Sequence, residues 1–415
     1  MEMRKIPGGV TAAIGFSASS CMAGIKYRNR TDMAMIFSDA PCAAAGTFTS
    51  NVVKAAPVVW DREIVTGGEP VRAVVVNSGI ANAGTGREGM RICEKTAQAV
   101  GGALGIPPRS VLIGSTGVIG MQIPLDRIEA GVGMLAEGLG HSMERGTEAS
   151  RAIMTTDTVN KETARVIELP SADGTGTVPV TIGGMSKGSG MIHPNMCTML
   201  AYITTDCAIE KTLLQKLVSS IVADTFNMIS VDGDTSTNDT LLVLANGQAG
   251  NCPITTAGES CTAFAEALFA VCRELAMKMA ADGEGATRLI ESTVVNMDTK
   301  ENARVLARSV VSSSLVKAMV FGKDANCGRI LCALGYAGPV FDPERTDIRM
   351  IGESGEVVFC RDGAVLPFDE ALALRILSED KVRFLSDMHM GEESATAWGC
   401  DLTYDYVKIN GDYRT

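Results

Sequence analysis

Short, densely apolar runs alternate along the chain with longer stretches in which apolar residues recur at helical spacing. Residues 73–77 (AVVVN), 177–182 (TVPVTI) and 240–245 (TLLVLA) are bounded by Gly, Asn or Asp and predict buried strands. Between the last two, Leu213, Leu214, Leu217, Val218, Ile221 and Val222 share one face and predict an amphipathic helix over 209–226. A second helix over 261–279 places Phe264, Leu268, Cys272, Leu275 and Met279 on one side. The pattern then restarts with a strand over 287–295 and a helix over 310–321, so a domain boundary is expected near 285–300. The turn-rich segment 171–176 (SADGTG) reads as a surface loop. The sum is an α/β or α+β layered fold.

Composition narrows the functional classes. With 415 residues the chain is expected to form two or three domains, at roughly 100–200 residues each. A net charge of -11 argues against a phosphate-backbone binder, whose affinity comes from clustered Lys and Arg. The 12 cysteines run from Cys21 to Cys400 without a CxxC pair, and with only 3 histidines a metal site has little support. The start, MEMRKIPGG, lacks the apolar core of a signal peptide, and no window approaches the ~18 apolar residues of a spanning helix. A reduced, cytoplasmic enzyme is expected.

Three glycine-rich segments invite a chemical reading. Gly84 to Gly89 matches GxGxxG, but the glycines start seven residues after the strand ends and no acid lies about 20 residues on. It reads as a helix entry, with a nucleotide-binding protein as the rival from another class. Gly184-Met-Ser-Lys-Gly188 matches GxSxG directly after a strand, where a nucleophile elbow would place Ser186. His193 lies too near in sequence to serve as its base in the usual order. Lys187 reads better as a cation for an anion such as a carboxylate. The third segment, 187–200 (KGSGMIHPNMCTML), leads a flexible turn and a proline to Thr198 at the head of an apolar run. Threonine there is ordinary β-propensity, yet the same arrangement suits a residue that cleaves its preceding peptide bond and becomes an N-terminal nucleophile.

At this point the chain resembles the ornithine acetyltransferase family of arginine biosynthesis nearly end to end. The resemblance rests on Gly8-Gly-Val-Thr-Ala, Asn51-Val-Val-Lys-Ala-Ala-Pro, Val74-Val-Val-Asn-Ser-Gly, Ser115-Thr-Gly-Val-Ile-Gly120, Thr155-Thr-Asp-Thr158 and the block 187–200. It continues through Ser230 to Asp239 (SVDGDTSTND), Asp282-Gly-Glu-Gly-Ala-Thr287 and the tail from Tyr404 to Thr415. It implies a layered α-β-β-α sandwich with a smaller C-terminal α/β domain. It also implies self-cleavage between Cys197 and Thr198 into chains 1–197 and 198–415, assembled as a heterotetramer.

The implied activity is transfer of acetyl from N2-acetylornithine to glutamate through an acetyl-Thr198 ester, and acetyl-CoA as a second donor stays open. The freed α-amine of Thr198, with a reference pKa of about 7.7–8.0, can take the hydroxyl proton without a histidine. By resemblance the oxyanion donors are the Thr116 hydroxyl and the Gly117 amide, although Ser115 to Gly120 on its own reads as a plain loop after the strand 111–113. Substrate positioning falls to Thr155, Lys187, Thr198, Glu284, Asn410 and Thr415, with Lys187 suited to a carboxylate and Glu284 to an ammonium. Thr155 to Thr158 suits a helix N-cap equally well. No metal or organic cofactor is required.

The run Asp232 to Asp239 resembles a calcium loop, but Thr237 and Val243 stand where glycine and glutamate belong. Three departures from the family pattern stand out: Cys197 for a common alanine, Ile80 for a common asparagine and Cys327 for a common tryptophan. Rival enzyme readings are a Ser186 hydrolase and a self-cleaving aminopeptidase.

Overall fold

The computed structural model describes residues 3–193 and 199–412, so Cys197, Thr198 and Thr415 lie outside the described residues. The chain forms two compact units. The first takes residues up to Gly188, the stretch ending at Ala223, and Thr235–Leu275; the second takes Ser189–His193, Asp224–Asp234 and the chain from Ala276 on. Both are mixed α/β.

The first unit is built on a 9-stranded sheet. Its strands are β1 (Met3–Ile6), β2 (Phe16–Cys21), β3 (Met33–Phe48), β4 (Val71–Asn77), β5 (Val111–Ser115), β6 (Lys161–Pro170), β7 (Thr177–Lys187) and β8 (Leu200–Thr205). The short β9 (Ile229–Ser230) belongs to the second unit, and β10 (Thr240–Ala245) returns to the first. The order is β1-β6-β7-β8-β10-β3-β4-β5, with β2 also on β3. β3 serves two neighbourhoods: its first half pairs with β2 and β4, its second with β10. The ladder to β4 shifts register between Phe37 and Cys42. Pro41, which has no N–H to donate, falls inside that irregularity.

β8 and β10 run parallel and are buried along their whole length, as unbroken apolar runs demand. The segment 171–176 is the tight, exposed turn joining β6 to β7, which pair from Pro170↔Thr177 to Lys161↔Ser186.

β5 ends the order, so alternate backbone groups on one side lack a strand partner. Helix Ala56–Gly67 supplies side chains instead: Trp60 Nε1 donates to Val111 O (3.0 Å) and Asp61 Oδ1 accepts from Ile113 N (2.8 Å). Asn238 Nδ2 donates to Ser115 O at 2.8 Å. Positions 111, 113 and 115 face the same way in a strand of period two, so three side chains stand in for a missing strand. Burial raises the Asp61 carboxyl well above the usual carboxylate range, against the lowering effect of the Ile113 N–H.

The second unit carries a 7-stranded sheet of β9, β11 (Leu289–Met297), β12 (Asp347–Gly352), β13 (Gly355–Arg361), β14 (Ala364–Val365), β15 (Lys381–Asp387) and β16 (Glu393–Cys400). The order is β14-β13-β12-β15-β11-β16-β9. Two expectations shift here and one shifts in the first unit. The helix expected over 209–226 is Lys211–Ala223 followed by a short 3₁₀ turn. The strand expected over 287–295 is β11. The single helix expected over 310–321 is two, Lys300–Ser312 and Ser314–Gly322. Ser313 adopts an extended conformation between them, and its hydroxyl accepts from Val316 N to cap the second helix. The apolar period runs through the break and hides it. Among the described residues no single helix is long and apolar enough to cross a membrane, and the cysteines form no disulfide.

Asp61→Ala strands the Ile113 N–H at a buried edge and is expected to cost about 2 kcal/mol, within the usual penalty for an orphaned buried donor. Asp61→Asn keeps an acceptor there and should cost less than half as much. Denaturant midpoints for both variants check this, and equal losses would show that the edge contact contributes nothing.

Candidate active site

Beyond β5 the chain turns sharply at Thr116 and Gly117. Thr116 N donates to Asn77 O (3.0 Å), Val118 N to Gly79 O (3.1 Å) and Ala81 N to Val118 O (3.0 Å). Underneath, Ser115 Oγ donates to Asn77 Oδ1 (2.7 Å) and Asn77 Nδ2 to Ile80 O (2.9 Å). Ile80 thus contributes its carbonyl to this network while its side chain joins the core. Gly117 has φ +123°, and a Cβ there would fall 2.2 Å from the Gly79 carbonyl carbon. No other residue fits. Among the described residues, neither the Gly117 amide nor the Thr116 hydroxyl has a hydrogen-bond partner. Two donors held on a braced turn are what a developing oxyanion requires.

A second cluster forms where β7 ends beside the segment leading into β6. The register Lys161↔Ser186 brings the two together. Lys187 is 7% exposed, and its Nζ donates to Thr155 Oγ1 at 2.8 Å. Asp157 gathers the rest: Lys161 Nζ and Gly188 N each reach Oδ1 at 2.7 Å, Thr155 N reaches Oδ2 at 3.1 Å, and Lys187 Nζ stands 3.6 Å from Oδ2. Burial opposes ionisation of Asp157, but Lys187, Lys161 and the Gly188 N–H hold its carboxyl well below the usual carboxylate range. A buried cation steadied by one threonine and one carboxylate suits an anionic substrate group.

These contacts identify Thr155 as the member of the Thr-rich segment that meets Lys187. The N-cap reading fails, because β6, not a helix, is the element that follows. Sequence reasoning passed over Asp157 and Lys161. Their signal was a Thr-Thr-Asp-Thr-Val-Asn-Lys run whose acid and base stand four apart, a spacing that suggests a surface helix pair.

Ser186 is no elbow. It sits inside β7, paired with Lys161 and Ala201, fully buried and without a hydrogen-bond partner for its hydroxyl. Gly84 to Gly89 is a helix entry, with the helix Gly86–Leu104 beginning inside it.

In the second unit Glu284 is 5% exposed, and its Oε2 accepts from Asn410 Nδ2 at 2.7 Å. The C-terminal helix Tyr404–Gly411 carries Asn410 and is tied down by Thr403 Oγ1 to Gly285 O (2.7 Å). A Cβ on Gly190 would fall 2.4 Å from the Glu284 carboxylate, so the chain at Gly190 is trimmed to fit this acid. Asp232 is a loop clamp. It accepts from Met191 N (2.6 Å), Ile192 N (2.9 Å) and Tyr406 Oη (3.3 Å). His193 Nδ1 lies 3.0 Å from Ser230 Oγ, and burial, with Arg308 nearby, pushes its pKa down to about 4. Cys327 is buried at the start of the helix Cys327–Gly335.

A braced donor turn and a buried lysine in the first unit, and a buried glutamate with an amide partner in the second, are groups suited to an α/β enzyme that handles acyl and amino-acid groups. Comparisons with known proteins agree. The profile of the ArgJ family matches residues 17–415. The arginine biosynthesis bifunctional protein ArgJ of Symbiobacterium thermophilum is 52% identical over 415 residues, 100% of both chains. That of Thermotoga neapolitana is 47% identical, covering 97% of this chain and 99% of its own. The crystal structure of the Mycobacterium tuberculosis ornithine acetyltransferase complexed with ornithine shares 41% identity, covers 47% of this chain and 99% of its own, and has a TM-score of 0.42. The chain belongs to the ArgJ family.

Gly117→Ala keeps its N–H but drives a Cβ into the Gly79 backbone, and the displaced amide should reduce turnover by about 10²-fold, the usual cost of an oxyanion donor out of place. Gly120→Ala is the control: Gly120 also has positive φ (+85°), but nothing lies within 4 Å of its Cβ position. Its turnover should stay within about threefold of the parent, since strain at one such residue costs of order 1–3 kcal/mol of folding stability without displacing a neighbour. Steady-state rates on both variants check the pair, and equal losses would remove Gly117 from the chemistry.

Proposed function

We propose that this ArgJ-family enzyme, an acetyltransferase of arginine biosynthesis, passes acetyl from N2-acetylornithine to glutamate through an ester on Thr198. The reading begins with self-cleavage. The Thr198 hydroxyl attacks the Cys197 carbonyl, the peptide shifts to an ester, and hydrolysis frees chains 1–197 and 198–415. The new α-amine of Thr198 then takes the hydroxyl proton as Oγ attacks the acetyl carbonyl of the substrate. The Gly117 amide and Thr116 hydroxyl stabilise the tetrahedral oxyanion. Collapse breaks the C–N bond, and the proton held on the α-amine passes to the departing ornithine amine. The glutamate amine attacks the ester in the reverse sense, Thr198 Oγ recovers its proton, and acetylglutamate leaves.

Lys187, steadied by Thr155, holds the substrate α-carboxylate. Glu284, with Asn410, takes the δ-ammonium of acetylornithine, and Thr415 completes the set. The observation that carries this reading is the Thr116–Gly117 turn, which is braced by the Asn77 and Gly79 carbonyls and whose two donors have no hydrogen-bond partner among the described residues. The fragments act together in the cytoplasm as a heterotetramer. Rates of glutamate acetylation from acetylornithine and from acetyl-CoA, measured side by side, decide whether acetyl-CoA is a second donor.

Thr198→Ala should leave one uncleaved 415-residue chain on a denaturing gel, whereas Ser186→Ala should still yield two fragments. Two normal fragments from Thr198→Ala would sink the mechanism. Thr116→Ala should process normally yet slow acetyl transfer by roughly 10²–10³-fold.

A further inference from the structure

The chain segment 237–240 touches both sides of the proposed chemistry, although none of its residues has a role in the route above. Asn238 is 8% exposed and points its amide at the donor turn: Nδ2 donates to Ser115 O at 2.8 Å and to Ala81 O at 2.6 Å. Thr237 Oγ1 donates to Asn238 Oδ1 at 2.6 Å, which fixes which way the amide faces. Two residues on, Thr240 N donates to Met199 O at 2.8 Å, and Met199 is the residue that follows Thr198 in the chain. Thr240 Oγ1 closes the turn onto Asn238 O at 2.9 Å.

We infer that Asn238 is a positioning residue that sets the distance between the nucleophile strand and the oxyanion donors. The inference rests on the reading of Thr198, Thr116 and Gly117 given above. Ser115 O is the last outward carbonyl of β5, so the amide that holds it decides where the next two residues sit. Met199 O is the first carbonyl after the nucleophile, so the Thr240 N–H decides where β8 begins. A rigid three-residue turn joins the two anchors. Its length therefore sets the separation between the start of β8 and the stabilising donors, and errors of about 1 Å in placing reacting groups cost as much as 10²-fold in rate. Cleavage before Thr198 gives this turn a further consequence. Ser115, Thr116 and Gly117 belong to chain 1–197 and Asn238 to chain 198–415, so the donors of one fragment are held in place by the other.

A positioning role and a purely structural role make different predictions. Asn238→Ala should lower kcat by about 10–10²-fold through misplacement of the donors while the KM for acetylornithine stays within about twofold. Added to Thr116→Ala, it should cost less than it does alone, because only the Gly117 donor is then left to misplace. A residue that only stabilises the fold would give additive losses in that cycle, and additivity would overturn the inference.

Thr237→Val covers the case in which Asn238→Ala does not fold. It preserves shape and the Thr237 carbonyl that accepts from Ala55 N, removes only the hydroxyl that orients the amide, and should lower kcat about threefold to tenfold with KM unchanged. An unchanged kcat in Thr237→Val, or a raised KM in either variant, would also overturn the proposal. Thr116→Ala separates the two levels. If it leaves the rate intact, the oxyanion assignment falls and this inference with it. If it slows the rate while Asn238→Ala does not, this inference falls alone.

Discussion

The outward backbone groups of β5 have no neighbouring strand, and everything proposed for acyl transfer depends on how they are satisfied. An unpaired buried N–H or C=O costs on the order of 1–3 kcal/mol, so a bare edge inside the molecule would not hold its shape. Trp60, Asp61 and Asn238 supply the three missing partners at Val111, Ile113 and Ser115. Side chains reach further and choose their angles more freely than a strand, so the strand can end in an abrupt glycine turn. That turn leaves the Gly117 amide without a hydrogen-bond partner among the described residues. A regular neighbour would have extended the ladder and consumed the donor.

The same economy governs the charged cluster. Lys161 and Asp157 are fully buried in their side chains, and Lys187 nearly so. Taking such charges out of water is costly, and a hydrophobic replacement would often be as stable. The arrangement gains definition: Asp157 ties together Thr155, Lys161, Lys187 and Gly188, so the buried cation and the glycine step after it are held as one piece. In the second unit Asp232 plays the corresponding part for Met191 and Ile192, which follow the glycine-rich stretch in the chain.

How much of this was legible in the sequence follows from the range of each interaction. β10 matches its apolar run residue for residue because burial on both faces is written into consecutive positions. The break at Ser313 was not legible, since a capping hydroxyl disturbs no apolar period. Lys187 stood out through its glycine neighbours, whereas Asp157 and Lys161 look like a helical i,i+4 pair and stand instead in the bent lead into β6 and at its first residue. Asn238 was least visible. It lies in an acidic run that invites a calcium reading, and its meaning depends on Ser115, 123 residues away, which only the sheet order brings alongside. The named site residues came from resemblance. Their local physics alone favoured a plain loop at Ser115 to Gly120.

The central claim is that Thr198 carries the acetyl group between substrates, and intact mass measured on the separated fragments tests it most directly. Enzyme incubated with acetylornithine and no glutamate should gain one acetyl group on the fragment that begins at Thr198, located on that residue by peptide sequencing and discharged when glutamate is added. An unmodified fragment under conditions of full turnover, together with intersecting double-reciprocal plots, would mean that acetyl passes directly between two bound substrates and that Thr198 never holds it.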